Sequence, residues 1–377
     1  MKQILLLACI TMLTATQTSA QTEVEAFKQP YAPGQLFPSE HFTGRVWLSK
    51  LIHNDSLHVP AFNVTFAPTC INSWHYHTGG QILVATAGVG YYQEKGRPAR
   101  RLHPGDIVEV DPNVEHWHGA APDSWFSHVA VSCNPESNRT VWLSPVGQGA
   151  YREAVTDGEA YYQAAREALS PRQHAIVELG VYTAHGDLNG LRTAIAGAFE
   201  SGMTQNEVKE VFIHAYAYCG FPRSLRALQT MMDVMDERQA AGISDPVGRE
   251  ASPAKARGDK YTRGQNTLSE LMGMPSDGRP AGYAEFAPTI DRFLKEHLFA
   301  DIFERDVLSY LDRELATLSI LAGVGGVEPM ARAHMGICLH LGITPRQLSA
   351  LLDIVAYRLG TNAAEPLRVI LQDLQGE

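Results

Sequence analysis

Residues 74–81 read Trp-His-Tyr-His-Thr-Gly-Gly-Gln, and this stretch indicates the fold most clearly. Successive side chains of a β-strand point to opposite faces, so a strand here would place His75 and His77 on the same side. Gln81 has the same parity, provided that the two glycines before it do not shift the register. The stretch therefore predicts a strand that presents polar, ligand-binding groups on one face.

A second pair of histidines with the same spacing follows further along the chain. His116 and His118 flank Trp117, and the pair comes after Pro104-Gly105-Asp106 and Pro112. Imidazoles that converge from neighbouring strands are typical of a divalent metal site. The alternative is that these histidines are core or loop residues of a barrel that binds no metal.

The sequence around both pairs has a β-sheet pattern. Between Phe42 and Trp142, short alternating runs such as residues 62–66 and 81–84 are separated by Gly, Pro and Asn. Many short strands with regular turn signals predict a sandwich or barrel.

The pattern becomes helical after about Gly149. Apolar residues recur at helical spacing, as in residues 208–215, and Ser170-Pro171 and Thr204 with Glu207 are helix-start signals. Residues 200–204 are echoed by residues 340–344, and a polar stretch around residues 244–260 lies between the two copies. This predicts two related helical units joined by a linker.

The histidine region is similar to the cupin superfamily. Its first motif, H-x-H-x3-E-x6-G, fits His75, His77 and Gly88, with Gln81 in place of the usual Glu, and its second fits loosely around His116. The resemblance implies a jelly-roll barrel that binds one divalent transition metal. Three imidazoles and an amide are neutral ligands, so the ion would keep its full charge and act as a strong Lewis acid.

A narrower resemblance, over about a hundred residues, is to the cupin-type, manganese-dependent (R)-mandelonitrile lyases. It implies metal ligands at His75, His77, Gln81 and His116, with His118 as the acid–base group. Manganese is the metal that it favours, whereas the ligand types alone also admit iron, zinc or nickel. For His118 the alternative is a histidine beside the barrel mouth with no catalytic role.

The helical half resembles the carboxymuconolactone decarboxylase family. Residues 207–222 resemble the second half of that family's pattern, which ends in Y-x-G-x-P, and residues 313–342 resemble the first half. The resemblance implies an all-α fold that assembles into homo-oligomers. Peroxidases of this family need a C-x-x-C pair, which is missing before His334, so we do not expect peroxidase chemistry.

Decarboxylation needs an acid–base group and a means of stabilising a developing enolate. The candidates carried over by the motif are Glu210, His214, Glu314 and His334. The alternative for the glutamates is a surface ion pair on a helix, and for His214 a packing role.

Composition and the N-terminus restrict the partners and the location. The chain of 377 residues carries a formal net charge of −10, which argues against nucleic acid or an anionic membrane surface as a partner, so we expect a small-molecule substrate.

The N-terminus has the pattern of a signal peptide, with Lys2, the apolar residues 4–13 and small residues before Gln21. Its apolar run is too short to span a bilayer. Residues 6–9 also fit a lipobox, so anchoring at Cys9 is the alternative to cleavage after Ala20. We expect a periplasmic or secreted protein.

Four cysteines would remain after cleavage, and none forms a C-x-x-C pair. Cys70 and Cys133 are the only two within one domain-sized segment. A disulfide between them and two free thiols are both compatible with the sequence.

The predicted architecture is a multidomain chain with an all-β cupin barrel before an all-α, duplicated helical domain. The boundaries are a signal peptide at 1–20, the cupin domain at 21–148, the first helical unit at 149–242, and a linker plus the second unit at 243–377. We expect an exported metal-dependent enzyme with lyase-type chemistry, C–C cleavage or decarboxylation, on a small oxygenated molecule. The alternatives are a non-catalytic protein that binds a small anion and an iron-dependent cupin oxygenase.

Overall fold

The computed structural model describes residues 20–253, 258–275 and 282–376. The predicted signal peptide up to residue 19 and the alternative lipobox at Cys9 therefore lie outside the described residues. The chain divides between Tyr161 and Tyr162 into two compact units. We call residues 20–161 the barrel unit and residues 162–376 the helical unit.

The barrel unit is built from short antiparallel strands, with a 3-10 turn at Asp55–Leu57. The strands are β1 (Gln35–Leu36), β2 (Val46–Lys50), β3 (Ala61–Phe66), β4 (His75–His77), β5 (Gln81–Gly88), β6 (Gly90–Glu94), β7 (Arg100–Leu102), β8 (Ile107–Val110), β9 (His116–Ala120), β10 (Phe126–Ser132) and β11 (Thr140–Trp142).

The strands form two sheets around one core. One sheet has the order β1-β2-β3-β10-β5-β8 and the other β11-β4-β9-β6-β7. Leu83 of the first sheet and Ala120 of the second belong to the same hydrophobic cluster, so the two sheets face each other. Neighbouring strands that are distant in sequence, such as β3 and β10, are typical of a jelly roll. The predicted all-β jelly roll is confirmed.

Helices follow the strands, and the first begins beside the predicted domain boundary. They are α1 (Gln148–Ala168), α2 (Pro171–His185), α3 (Leu188–Glu200), α4 (Gln205–Ala240), α5 (Lys260–Met272), α6 (Tyr283–Phe286), α7 (Pro288–Phe293), α8 (Leu294–Ile302, with π-helical hydrogen bonds), α9 (Tyr310–Val324), α10 (Glu328–His340), α11 (Pro345–Leu359) and α12 (Thr361–Gly376).

The helical unit contains an internal repeat, as the sequence predicts. Helices α2 and α9 have 15 residues each, and α3 and α10 have 13 each. Thr204 and Thr344 then form capping boxes at the starts of α4 and α11. Each of these helices reaches a glycine with positive φ, Gly220 at 76° and Gly360 at 99°. The two repeats, α2–α4 and α9–α12, share one hydrophobic core.

Two further expectations concern membranes and thiols. Within the described part of the chain, none of the helices combines the length and hydropathy needed to cross a bilayer. The four cysteines of that part are all free thiols, so Cys70 and Cys133 do not pair in this structure.

Candidate metal centre in the barrel unit

His75 and His116 begin neighbouring strands and lie directly opposite each other, as Cα partners of β4 and β9. The Nδ1–H of each ring donates to the carbonyl oxygen two residues earlier, that of Ser73 at 2.9 Å and that of Val114 at 2.9 Å. Each ring is thereby oriented through Nδ1, which leaves the lone pair of Nε2 available. Metal-binding histidines are typically held in this way.

His77 and Gln81 present their polar groups to the same interior. The Nδ1 of His77 lies 3.2 Å from the Thr140 hydroxyl, and its Nε2 is buried without a hydrogen-bond partner. Gln81 is buried on the same side of β5 as Leu83, and its Oε1 is also buried without a partner. The Gly79-Gly80 turn before Gln81 therefore preserves the parity that the sequence predicts.

His118 is held differently, because Asn72 forms hydrogen bonds with both its main chain and its ring. The Oδ1 of Asn72 accepts from the main-chain N–H of His118 at 2.9 Å, so the amide Nδ2 faces the His118 ring at 3.0 Å from Nε2. Since Nδ2 can only donate, Nε2 is the acceptor, and the ring hydrogen resides on Nδ1. This Nδ1 is buried and has no partner in the described structure.

The imidazole rings lie close together. Ring centroids are 4.2 Å apart for His75 and His116, 5.2 Å for His75 and His77, and 5.5 Å for His75 and His118. One nitrogen from each of His75, His116 and His118 lies within 4.8 Å of the other two. The predicted ligand set and this group share His75 and His116 and differ in whether His77 or His118 joins them. The predicted set stays a prediction.

Burial keeps these rings neutral. It lowers the pKa of His116 to about 4 and the pKa of His75 and His118 well below the ordinary value. The pKa of His77 is also lowered by burial, although the nearby Gln81 side chain opposes the shift. A neutral imidazole is the form that binds a metal.

These features together test whether the residues fit a divalent ion. The Nε2 atoms of His77 and His116 and the Oε1 of Gln81 are buried acceptors without partners, and each such group costs about 1–3 kcal/mol when unsatisfied. A divalent ion is one partner that such neutral nitrogen and amide oxygen acceptors can take. The donor set therefore fits a divalent metal, while nitrogen and amide oxygen donors do not determine which one.

The sequence did not indicate the aromatic residues around the cluster. Trp142 on β11 is the partner of His75 across the strands, with ring centroids 4.7 Å apart, and it stacks on His41 at 4.4 Å. Phe66 packs between His118 and His128, at 5.7 and 5.6 Å. A lone aromatic residue at the end of a strand pattern carries no signal of its own, so only the pairing of β4 with β11 reveals Trp142.

The helical candidates lie in a separate buried network within the helical unit. Glu210 accepts from Arg305 at 2.9 Å and from Arg313 at 2.7 Å, so two guanidinium groups balance its charge. The Nε2 of His214 lies 2.8 Å from the Thr317 hydroxyl.

The last pair of helical candidates forms a direct contact. His334 donates from Nδ1 to the carboxylate of Glu314 at 2.6 Å. Glu314 is fully buried, whereas the side chain of His334 keeps 13% of its exposure.

Comparisons with known proteins agree with this architecture. Residues 62–126 match the Cupin domain family, and residues 150–231 and 288–372 match the Carboxymuconolactone decarboxylase family. The chain is 37% identical over 116 residues to an (R)-mandelonitrile lyase of Granulicella tundricola, which covers 30% of this chain and 88% of that protein.

Similar solved structures include a cupin-like protein from Thermotoga maritima, with 42% identity and a TM-score of 0.33 over 34% of this chain and 97% of that chain. The DMSP lyase DddQ from Ruegeria pomeroyi has 22% identity and a TM-score of 0.26 over 33% of this chain and 64% of that chain.

Fold and site define a cupin barrel with a histidine cluster suited to a divalent metal, followed by a duplicated helical domain. The chain belongs to the cupin superfamily through its barrel unit, and its helices form a domain of the carboxymuconolactone decarboxylase family.

Proposed function

We propose that the barrel unit is a metal-dependent lyase that cleaves a C–C bond of a small α-hydroxy compound, with cyanohydrins as the substrate class. The observation that carries this proposal is the convergence of buried ring nitrogens and an amide oxygen that have no partner in the described protein. The relative from Granulicella tundricola supports the substrate class, since it is named for the cleavage of mandelonitrile.

The ligands that we propose are His75, His77, Gln81 and His116. Three of them share one arrangement, in which Nδ1 is anchored by an oxygen atom and Nε2 is left for the ion. A divalent ion held here would supply Lewis acidity to the hydroxyl oxygen of the substrate. The protein side chains orient the substrate and handle its proton.

His118 is the acid–base residue of the proposal. Asn72 donates to its Nε2, so Nδ1 carries the ring hydrogen and faces the substrate as the acid. The C–C bond breaks as the carbonyl forms, the Nδ1 hydrogen passes to the departing cyanide, and the hydroxyl proton of the substrate replaces it on Nδ1. A positioned imidazole contributes about 10²–10⁴-fold to such a proton transfer.

The first experiment is metal analysis of the full chain purified without chelator, followed by an assay of benzaldehyde release from mandelonitrile. We expect near-stoichiometric metal and turnover in the wild type, and loss of both in the double variant His75→Ala, His116→Ala. His53→Ala, an exposed histidine of the same unit, is the matched control and should keep both.

Three outcomes would contradict the proposal. A protein that binds no metal after reloading has no metal centre in the barrel. A metal-loaded protein that consumes oxygen and does not cleave cyanohydrins is an oxygenase. A metal-loaded protein with neither activity that binds cyanide or a carboxylate is a binding protein.

Export and self-association are proposals of the same kind. We infer cleavage after Ala20 from the signal peptide pattern, which predicts a mature N-terminus at Gln21 in the periplasm or medium. N-terminal sequencing of the exported protein tests this inference against lipid attachment at Cys9. Light scattering of the purified full chain tests the homo-oligomer.

A further inference from the structure

The two repeats of the helical unit have equivalent positions, which can be read from their matched helices. Helices α2 and α9 begin one residue after the capping serines Ser170 and Ser309 and have equal length. Helices α3 and α10 also have equal length, as do α4 up to Gly220 and α11 up to Gly360. Each residue of these matched helices therefore has a counterpart in the other repeat.

Glu314 and His334 have no acid–base counterpart in the other repeat. Glu314 on α9 corresponds to Ala175 on α2, and His334 on α10 corresponds to Ala194 on α3. Both alanines are buried, so the same helical framework packs without a carboxylate or an imidazole at these places. Burial of Glu314 is costly, and the fold does not need it. A function explains it better than packing does.

The second set of positions, which are the counterparts of Thr317 and Tyr218, holds an ion pair and is called the closed set. Glu178, the counterpart of Thr317, accepts from Arg358, the counterpart of Tyr218, at 2.6 Å. The Tyr162 hydroxyl donates to Glu178 at 2.8 Å, and its ring packs against the guanidinium of Arg358 at 4.8 Å. The polar groups there satisfy one another, whereas the Oε1 of Glu314 in the first set is buried without a partner.

The first set of positions holds Glu314 and His334 from one repeat and Tyr218 from the other. Its hydrogen bonds orient His334 as a base. The Glu314 carboxylate takes the Nδ1 hydrogen of His334 at 2.6 Å. This leaves Nε2 as the basic nitrogen on a side chain that keeps some exposure to solvent. A carboxylate that fixes the tautomer of an imidazole in this way is the usual device for a general base.

Tyr218 lies beside His334, with the two rings edge to face and their centroids 5.9 Å apart. Its hydroxyl accepts from Thr317 at 3.1 Å, and the Thr317 oxygen lies 2.8 Å from Nε2 of His214. The other nitrogen of His214 faces the Arg313 guanidinium at 3.5 Å. A relay of donors thus runs from the buried arginine to the phenol, whose own hydrogen is given to no other described residue.

We propose that this cross-repeat site, Glu314, His334, Tyr218, Thr317 and His214, catalyses proton abstraction from the carbon next to a carbonyl group. The Nε2 of His334 takes the proton as the C–H bond breaks. The electron pair forms the enol double bond, and the carbonyl oxygen accepts a hydrogen bond from the Tyr218 hydroxyl. Reprotonation at the same carbon completes the cycle, so no oxidant, reductant or metal is needed. The ligand class is a small ketone, keto acid or lactone with an enolisable C–H.

Glu210 stands outside the reacting pair in this proposal. Its carboxylate oxygens are engaged by Arg305 and Arg313, so it acts as the counter-ion that holds Arg313 at the end of the relay. It is a positioning residue and not the base.

The test measures deuterium incorporation from D2O into pyruvate, cyclohexanone and γ-butyrolactone by proton NMR, with the full chain. The background is the His75→Ala, His116→Ala variant, so that a metal in the barrel unit cannot contribute. We expect exchange above the buffer rate for at least one probe, and a loss of about 100-fold or more in His334→Ala and in Tyr218→Phe. Glu178→Gln in the closed set is the matched control and should leave the exchange rate unchanged.

Absence of catalysed exchange with all three probes would overturn the proposal, and so would exchange that persists in His334→Ala. Alanine already occupies the equivalent position 194, so this variant should fold, and circular dichroism checks that it does. If it does not fold, Tyr218→Phe alone decides, because it removes one hydroxyl and keeps the ring.

Discussion

Replacement of single imidazoles in the barrel would distinguish the predicted ligand set from the set of nearest nitrogens. His77 resembles His75 and His116, because its Nδ1 is anchored and its Nε2 is free. His118 has the opposite arrangement, with Nε2 engaged by Asn72. We therefore expect His77→Ala to lose the metal, and His118→Ala to keep the metal and lose activity.

The size of the effect on metal binding follows from mass action. Loss of a supporting outer-shell partner already costs about 10–100-fold in metal affinity, so loss of a ligand should cost at least about 100-fold. At a free metal concentration 100 times the wild-type Kd, binding stabilises the protein by about 2.7 kcal/mol, and a 100-fold weaker variant is stabilised by only about 0.4 kcal/mol. His77→Ala should thus lose about 2 kcal/mol of metal-dependent stabilisation, and His118→Ala almost none.

Denaturant titration with and without metal, at one fixed free metal concentration, measures this difference. His53→Ala provides the baseline for an exposed histidine. If His118→Ala loses the metal-dependent stabilisation and His77→Ala retains it, the reasoning from anchored Nδ1 atoms is wrong. The ion would then sit among His75, His116 and His118.

Three further predictions concern stability. Burial lowers the pKa of His116 to about 4 and of His128 to about 3, so below the unfolded-state value of about 6.5 only the unfolded chain takes up their protons. For each of the two histidines, the free energy of unfolding of the metal-free protein should fall by about 1.4 kcal/mol per pH unit as pH falls from about 6.5 to 4. A free energy of unfolding that does not change with pH in denaturant titrations would contradict this. Asn72→Ala should lower the free energy of unfolding by about 2 kcal/mol or more, since it leaves two buried groups of His118 unsatisfied. An unchanged melting temperature would contradict this stabilising role of Asn72. Gly220→Ala should cost about 1–3 kcal/mol, because its φ of 76° and ψ of 169° suit only glycine, whereas Gly197→Ala, in open space on a helix, should not destabilise the protein.

The sequence predicts the parts of the barrel site that depend on strand parity. The two histidine pairs and Gln81 are spaced by even numbers of residues, and the period of a strand then places each set on one face. It does not predict the pairing of β4 with β11 or of residue 72 with β9. Trp142 and Asn72 reach the cluster through those contacts, which join residues far apart along the chain.

For the helical unit, the sequence predicts the repeat and the helix starts, because caps and apolar spacing are local. It names Glu210, His214, Glu314 and His334 without showing how their roles differ. That distinction depends on Arg305 and Arg313, which form ion pairs with Glu210 and not with Glu314. One oxygen of Glu314 is therefore buried without a partner among the described residues. Ion pairs between residues far apart along the chain are not encoded in any local pattern.

The neutrality of the barrel cluster bears on the kind of substrate that it can hold. The imidazoles of His75, His77, His116 and His118 are all kept uncharged by burial, and Gln81 is an amide. A divalent ion placed among them would bring two positive charges into a site where none of these ligands is negative, and an uncompensated buried charge is unfavourable. A substrate that becomes an alkoxide or releases cyanide supplies the missing negative charge as the reaction proceeds, so the site would bind the transition state more tightly than the neutral substrate. Gln81→Glu tests this argument, because a carboxylate at position 81 compensates the ion in advance. We expect tighter metal binding, weaker inhibition by cyanide and slower cleavage, and unchanged kinetics in a metal-loaded Gln81→Glu variant would show that ligand charge does not control the reaction.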